Sequence, residues 1–528
     1  MLTLGLEGTA HTTSASVLDE KHIYSMVSRT YKPVKGGINP REAANFHFEN
    51  VVNVIHKAIQ ESGFRESNIE MIGFSRGPGL PPSLKITAVA ARAMALKLDI
   101  PIVGVNHPLG HIEIGRRETG ANDPVMLYVS GGNTQIIAHK NGRYRVFGET
   151  LDIGIGNMLD KIARDMGFPF PGGPEIERLA IQGSNLLDLP YSVSGMDCSF
   201  SGIYTAAKNL LQKGESESDV SYSIQEISFS MLVETLERAL YTSGKSEILL
   251  AGGVARNNRL KEMISRMAED LGVRVFETPE KYCMDNGAMI GQAAILTYLN
   301  YGGQKIEDTG IDQMYRIDEV DTPWVSENNI IYSKKGAESI ISEGRFHEYD
   351  SIVKERIIKS YRNRELDLRL RNKRMRNEIV MLHRMMEAGL NVPSVFSINE
   401  DRMSFEMEEI PGIQASNIGK VDVEILDEIA KCVSRLHEVD IIHGDLTLNN
   451  MILSEGNIYL IDPSMGKVSK TLTDMAYDIR LLKESMISIY GNDAYEKFER
   501  IYRENSERCN EVVNVLHDIE KRRRYEAL

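Results

Sequence analysis

The sequence predicts an α/β protein in which a duplicated, two-lobed α/β unit is followed by a smaller α+β unit of different character. Three observations lead there. Two strand–turn–strand segments with small-residue tips, Leu2 to Leu18 and Val125 to His139, recur about 120 residues apart, as an internal duplication would. A short apolar strand, Ile248 to Ala251, runs into Gly252-Gly253 and then a helix. Such a turn suits an anion, because unpaired N–H groups and the helix dipole point at it. After Trp324 the pattern changes, and the chain later carries His443-Gly-Asp445-Leu-Thr-Leu-Asn449-Asn450, a spacing that sets an Asp and an Asn around a transferring phosphoryl group.

In order, Leu2 to Leu6 reads as a buried strand, Glu7-Gly8-Thr9 as a turn and Thr13 to Leu18 as an alternating return strand. Its Gly/Thr tip can aim N–H groups and a hydroxyl at phosphate; an ordinary tight hairpin fits equally. Asn45 to Ser62 has helical spacing, and Ile69 to Ser75 is a strand that ends in the loop Arg76-Gly-Pro-Gly79. Ser83 to Leu98 is an alanine-rich helix, and Ile100 to Val105 a strand that delivers the chain to His107-Pro-Leu-Gly-His111. Asn106 can cap a helix there, and Pro108 suits its first turn. Histidines four apart then share a face and can reach one metal ion. Pro108 stands where a zinc protease carries its general-base Glu. Two unrelated core-edge histidines are the alternative.

The second hairpin has its tip at Ser130-Gly131-Gly132-Asn133-Thr134. Asp152 to Gly156 precedes a helix with Asp160 and Lys161, and Phe168 to Gly173 forms a Pro/Gly loop before Glu177 begins the next helix. Bare backbone at Gly172 and Gly173 lets a flat ligand approach. Asp285 precedes an apolar helix, either as its cap or as a free carboxylate.

Composition narrows the partners. Charged residues make up 26% and hydrophobic ones 42% of 528 residues, as in an ordinary globular protein. With a net charge of −14 there is no global field for nucleic acid, so any such contact needs a local basic patch. Four cysteines, Cys198, Cys283, Cys432 and Cys509, form no C-x-x-C pair, which fits a reducing cytoplasm. No signal peptide and no membrane span is expected.

LGLEGT, YVSGGNTQ and AGGVARN resemble the two phosphate hairpins and the adenosine motif of the actin, sugar-kinase and heat-shock ATPase superfamily (ASKHA, a duplicated RNase H-like fold). Within it, His107 to Arg116, FPGGPEIE and CMDNGAMIG resemble the universal tRNA threonylcarbamoyladenosine transferase family, over residues 1–324. The resemblance implies His107, His111, Tyr128 and Asp285 as metal ligands. It implies Tyr128, Val129, Ser130, Gly131, Gly132, Asp160, Gly173, Glu177 and Asn257 as the site for threonylcarbamoyl-AMP. Two histidines, a carboxylate and a phenol suit iron, and zinc also fits. The expected reaction moves the threonylcarbamoyl group to the exocyclic amine of the adenosine 3′-adjacent to the anticodon, in tRNAs reading codons that begin with A. No Cys or Ser nucleophile stands out, which favours direct transfer.

Residues 325–332 read as a linker and 333–528 as a second domain. Lys334 to Phe346 reads as strand–turn–strand, with Gly336, Ala337, Glu338, Ser339, Gly344 and Arg345 over ATP. Lys354 on a strand and Glu378 on a helix from Leu366 to Glu387 can form the ion pair that holds ATP phosphates. Asp445 is the candidate proton acceptor, and Asn450 and Asp462 the Mg²⁺ ligands. VKERIIKSYR and LDLRLRNKRMRNE resemble the small atypical kinases of the KEOPS complex, which implies other KEOPS subunits as partners. Asp462-Pro463-Ser464 replaces Asp-Phe-Gly, and no Ala-Pro-Glu follows before Leu528. A full peptide-substrate lobe is therefore not expected, which favours ATP hydrolysis or autophosphorylation coupled to the transferase. Ten Lys/Arg against three Asp/Glu between Lys354 and Arg376, with Lys521 to Arg524, are the candidate tRNA patches. The other readings are a metal-dependent glycoprotease and a non-catalytic nucleotide-binding scaffold.

Overall fold

Apolar strands ending in small-residue turns build two matching sheets. The first has the order Ile23–Thr30, Thr12–Leu18, Thr3–Glu7, Met71–Gly77, Ile102–Asn106. Its first three strands are antiparallel and the last two run parallel to Thr3–Glu7. The second repeats the order and the senses with Arg143–Glu149, Thr134–Lys140, Val125–Val129, Glu247–Ala251 and Arg274–Glu277. The hairpins legible in the sequence are the inner pairs. Both third strands, Ile23–Thr30 and Arg143–Glu149, lie at sheet edges and are only partly buried, so they lack the apolar run that marks a strand.

The computed structural model describes residues 1–32, 39–328, 338–419 and 421–526. The chain divides into two units, one chiefly Met1–Ser192 and Met196–Ile331, the other chiefly Tyr332–Arg524.

In the first unit, Leu4, Leu6, Val17, Phe74 and Ile55 belong to one core. A second core joins Leu109, Ile112, Met126, Tyr128, Leu249, Met289 and Ile290. Helix Gly287–Tyr301 packs tightly on strand Thr3–Glu7: a Cβ at Gly287 would lie 2.5 Å from the Gly5 carbonyl oxygen. That contact brings the start of the helix, and Asp285 just before it, against the end of the strand. Helix Glu217–Ser243 is buried nearly throughout, with Gln225, Glu226, Glu234 and Glu237 inside. Burial on every side removes the one-faced stripe by which a helix is read from sequence.

The second unit begins with an antiparallel sheet in the order Ser339–Phe346, Tyr349–Arg356, Ser404–Glu408, Val395–Asn399. Of the strand–turn–strand expected within 334–346, residues 334–337 lie outside the described residues, and Ser339–Phe346 is a single strand whose turn falls at His347, which takes φ 53. Gly344 serves the ladder, not the turn: a Cβ there would meet Ser351 Oγ at 2.9 Å. Gly336 and Ala337 lie outside the described residues. Helix Arg364–Glu387 precedes the last two strands, and helices Val423–Glu438, Leu472–Tyr490 and Asn492–Asn505 share one core with strands Met451–Ser454 and Asn457–Leu460.

Candidate active sites

In the first unit, Asn106 caps helix His107–Thr119, its side chain accepting from Leu109 N at 3.1 Å. His107 and His111 fall on one buried face, ring centroids 4.9 Å apart. The cap of helix Gly287–Tyr301 is Asn286, which accepts from Met289 N at 3.0 Å. Capping is thus done by the neighbour, and the Asp285 carboxylate turns to the histidines. His111 Nε2 lies 3.3 Å and His107 Nε2 3.5 Å from Asp285 Oδ1, and the Tyr128 hydroxyl is 3.4 Å from His107 Nε2. One ligand atom from each of His107, His111 and Asp285 lies within 4.8 Å of the others.

Glu7 was not singled out in the sequence beyond its turn. Its Oε2 lies 3.2 Å from His107 Nδ1, and its Oε1 accepts from Thr9 N and Oγ1 at 2.7 and 2.6 Å. With the Nδ1 proton given to Glu7, the His107 Nε2 lone pair faces the Asp285 carboxylate. Two acceptors face to face call for a proton or a metal cation between them. The charge balance says the same. Burial opposes a charge on His107, but Glu7 and Asp285 outweigh it and raise the imidazole to about 9. Burial also acts against the charge on Asp285, yet His107 and His111 hold it well below the usual carboxylate range. Burial pushes the Tyr128 phenol up, so a phenolate there needs a cation beside it.

The histidine motif's glutamate is structural. Glu113 is buried and accepts from Trp324 Nε1 at 3.1 Å, Tyr144 OH at 3.2 Å and Arg116 Nη1 at 2.8 Å.

The two hairpin tips differ. In the first, Gly8 N donates to Ser75 Oγ at 3.0 Å and Thr9 N to Glu7, so these donors already have partners, contrary to a phosphate-cradling role. In the second, Gly131 and Gly132 are exposed at the tip that follows Tyr128 and Val129. A Cβ at Gly252 would lie 2.2 Å from the Val129 carbonyl oxygen, which sets the adenosine-type loop against this hairpin. Gly252 takes φ 93, open to glycine at little cost. Asp160 accepts from Gly172 N at 2.7 Å and also from the Gly173 N–H, and burial raises its carboxyl. Glu177 sits inside helix Gly173–Ala180, not at its start, and accepts from Asn258 N and Nδ2, both at 2.9 Å. Asn257 caps helix Asn258–Leu271 and donates to Gln225 Oε1 at 2.7 Å. The structure thus groups Tyr128 to Gly132, Asp160 with Gly173, and Glu177 with Asn258, the residue that follows Asn257.

In the second unit, Lys354 Nζ lies 2.6 Å from Glu378 Oε1 and 2.9 Å from Asp462 Oδ2. Burial raises the Glu378 carboxyl; it acts the same way on Asp462, but Lys354 and Arg356 hold that group well below the ordinary range. Asp462 adopts φ 59, and its buried Oδ1 has no hydrogen-bond partner, as a metal-binding oxygen would be left. Asn450 Nδ2 donates to the Asp445 carbonyl at 2.8 Å and to its Oδ2 at 3.1 Å, which leaves the Asn450 Oδ1 oxygen to a cation. Sequence reasoning missed Asp478, whose buried carboxylate accepts from His443 N at 2.6 Å and Gly444 N at 2.9 Å and so holds the loop carrying Asp445. No local motif flags it, since it comes from helix Leu472–Tyr490, far along the chain.

Glu338 corrects an expectation. Its carboxylate is engaged by Arg356 Nη1 at 2.7 Å and Arg374 Nη1 at 2.8 Å, so it does not face a nucleotide as a free group. Ser339 pairs with Arg356, Gly344 with Ser351 and Arg345 with Asp350 in the strand ladder.

Residues 22–292 match the TsaD family, tRNA N6-adenosine threonylcarbamoyltransferase, and residues 341–473 match the RIO domain family. Over 527 residues, 99% of this chain and 100% of the relative, the sequence is 53% identical to a probable bifunctional tRNA threonylcarbamoyladenosine biosynthesis protein of Thermoplasma volcanium. The likeness is 51% over 529 residues to the protein of that description in Thermoplasma acidophilum and 45% over 533 residues to that in Methanothermobacter thermautotrophicus; each comparison covers 99% of this chain and 100% of the relative. The chain belongs to this bifunctional family. It joins a threonylcarbamoyltransferase domain with the actin-like fold to a RIO kinase domain, and the two families imply use of a metal and of ATP. The matches support neither the protease nor the scaffold reading. Among the described residues, no helix is long and apolar enough to cross a membrane.

Proposed function

We propose that the first unit, residues 1–324, transfers the threonylcarbamoyl group from threonylcarbamoyl-AMP to the exocyclic amine of the adenosine 3′-adjacent to the anticodon, in tRNAs reading codons that begin with A. The observation that carries this is the convergence of buried His107, His111 and Tyr128 with half-buried Asp285 on one point, beside the hairpin tip with exposed Gly131 and Gly132. An iron ion, with zinc as the other candidate, would be held by those four side chains and would polarise the acyl-adenylate as a Lewis acid. Glu7 keeps His107 in the tautomer that turns Nε2 inward. Gly131 and Gly132 offer backbone donors to the phosphate or to the developing oxyanion. Asp160 fixes the Gly172-Gly173 loop, and Glu177 and Asn257 frame the nucleoside side of the pocket. The adenosine N6 attacks the carbamoyl carbon, a C–N bond forms, the C–O bond to phosphate breaks, AMP leaves and N6 loses a proton.

The second unit, residues 333–528, uses Lys354, Glu378, Asp445, Asn450 and Asp462 to bind Mg-ATP, and it regulates the transferase by ATP hydrolysis or autophosphorylation. The Asp462 Oδ1, which accepts no hydrogen bond, and the single side-chain oxygen of Asn450, whose amide nitrogen faces Asp445, support the metal assignment. The protein works in the cytoplasm with other KEOPS subunits. The test is mass spectrometry of tRNA nucleosides after incubating the full chain with tRNA and threonylcarbamoyl-AMP. Modified adenosine is expected with the native chain and its loss with His107→Ala; no product even with partner subunits added overturns the reading.

A further inference from the structure

Strand Tyr349–Arg356 carries a second buried cation beside the one already discussed. Lys354 and Arg356 are two residues apart, hence on the same face of the strand, and both are buried. They share one carboxylate: Lys354 Nζ takes Glu378 Oε1 at 2.6 Å, and Arg356 Nη2 takes Glu378 Oε2. The other arm of the guanidinium, Nη1, reaches Glu338 Oε2 at 2.7 Å. Glu338 Oε1 in turn meets Arg374 Nη1 at 2.8 Å, and Arg374 lies on the same helix, Arg364–Glu387, as Glu378. Charges therefore alternate along Lys354, Glu378, Arg356, Glu338 and Arg374. Asp462 lies across the first part of that chain, 2.9 Å from Lys354 Nζ and 3.7 Å from Arg356 Nη2.

This arrangement bears on what happens when nucleotide arrives. Lys354 pairs with two carboxylates. Phosphate oxygens will draw its ammonium, and Asp462 must exchange it for a metal ion. A buried Glu378 held by that lysine alone would then be left without a full counter-charge, which is strongly unfavourable. A planar guanidinium holds one carboxylate with one arm and a second with the other in a fixed fork, so it keeps Glu378 paired when the single ammonium of Lys354 is drawn to phosphate. Arg356 does this, and through Glu338 it also ties the start of the edge strand Ser339–Phe346 to the helix that carries Glu378.

We propose that Arg356 is a positioning residue of the ATP site: it anchors Glu378, and through Glu338 the neighbouring strand, so that Lys354 is free to leave Asp462 for the nucleotide phosphates. This rests on the reading that the second unit binds Mg-ATP through Lys354, Glu378 and Asp462.

The test uses the full chain and two readouts, steady-state ATP hydrolysis and calorimetric binding of Mg-ADP, for Arg356→Lys, Arg356→Met, Glu338→Gln and the control Lys354→Met. Arg356→Met is expected to weaken Mg-ADP binding and raise KM for ATP by about tenfold or more, with kcat also reduced. Arg356→Lys restores a cation without the fork, so most of kcat returns while KM stays several-fold high. Glu338→Gln, at a partly exposed position, raises KM without unpairing Glu378, and it carries the test if Arg356→Met does not fold. If Arg356→Lys and Glu338→Gln lower only the melting temperature, with KM, kcat and Mg-ADP affinity as in the native chain, Arg356 is merely structural and the proposal falls. If the native chain binds no Mg-ADP and Lys354→Met changes nothing, the nucleotide reading falls, and the proposal with it.

Discussion

At the scale of single residues, two side chains that were not singled out in the sequence lie in or beside the first site. Glu7 looks like part of a turn in the sequence, yet its Oε2 lies 3.2 Å from His107 Nδ1, where a carboxylate orients a ligating imidazole. Removing the negative charge while keeping the shape, as in Glu7→Gln, should lower metal retention by about 10–100-fold, the usual effect of losing the carboxylate behind a ligating histidine. Metal content after dialysis, measured by mass spectrometry, checks it; full occupancy in the variant would remove Glu7 from the site. His47 is the second. It is fully buried next to Gly8, where a Cβ would lie 3.1 Å from its Nδ1, and burial lowers its imidazole to about 4. The folded state keeps it neutral, whereas the unfolded chain takes up a proton near the ordinary value of about 6.5. Its contribution is therefore present above about 6.5 and is lost as pH falls toward 4, with a slope approaching one proton bound on unfolding. Thermal melts across that window should be steeper for the native chain than for His47→Phe. Equal slopes would assign the acid sensitivity elsewhere.

At the scale of elements, legibility followed burial pattern. The inner hairpins and helix His107–Thr119 showed in the sequence because their apolar and small residues fall at regular intervals. The edge strands Ile23–Thr30 and Arg143–Glu149, which are only partly buried, did not, nor did helix Glu217–Ser243, whose burial on every side leaves no one-faced stripe. The site was legible only where its residues sit in continuous motifs. The partnership of Asp285 with helix His107–Thr119 was carried by resemblance, because no local pattern reports a contact across 174 positions. That partnership depends on how closely helix Gly287–Tyr301 lies on strand Thr3–Glu7. Gly287→Ala should destabilise the protein by roughly 1–3 kcal/mol through overpacking and should also reduce metal content, because the helix that follows Asp285 must shift. Chemical denaturation and metal analysis test both effects; unchanged values would mean the contact relaxes freely. The basic stretch before Arg376 is a caution of another kind. Lys354, Arg356, Arg362, Arg371, Arg374 and Arg376 are all in ion pairs with carboxylates of the same unit, so a count of charges overstates the field. Arg369, Lys373 and Arg376 line a groove of about 710 Å³ along one helix face, which makes that face the candidate contact for an RNA backbone. Side chains from Lys521 to Arg524 lie outside the described residues. Replacing Arg369 and Lys373 by Ala should make the dependence of log K for tRNA on log salt shallower by about 1–2. An unchanged slope would leave the RNA contact to other surfaces.

At the scale of the whole molecule, one polypeptide carries a group-transfer centre and a phosphoryl-transfer centre of different chemistry. Threonylcarbamoyl-AMP already holds the energy of an activated acyl group, so the transfer itself requires no ATP. A fused ATP site is therefore expected to act on something other than the bond being made, such as substrate engagement or product release. The second unit fits that role: Asp478 fixes the loop bearing Asp445, Lys354 pairs with Asp462 at 2.9 Å, and Asp-Pro-Ser stands where a protein-phosphorylating kinase has Asp-Phe-Gly. ATP turnover by the full chain should accordingly rise when tRNA is present and should be abolished by Asp445→Asn. In the same variant a single round of threonylcarbamoyl transfer should survive, because His107, His111, Tyr128 and Asp285 are untouched, while repeated rounds slow. Rapid phosphorylation of unrelated proteins, with ATP turnover indifferent to tRNA, would show instead that the second unit is a free-standing protein kinase. A single round lost together with ATP turnover would mean that the ATP site drives the transfer chemistry, and not its cycle.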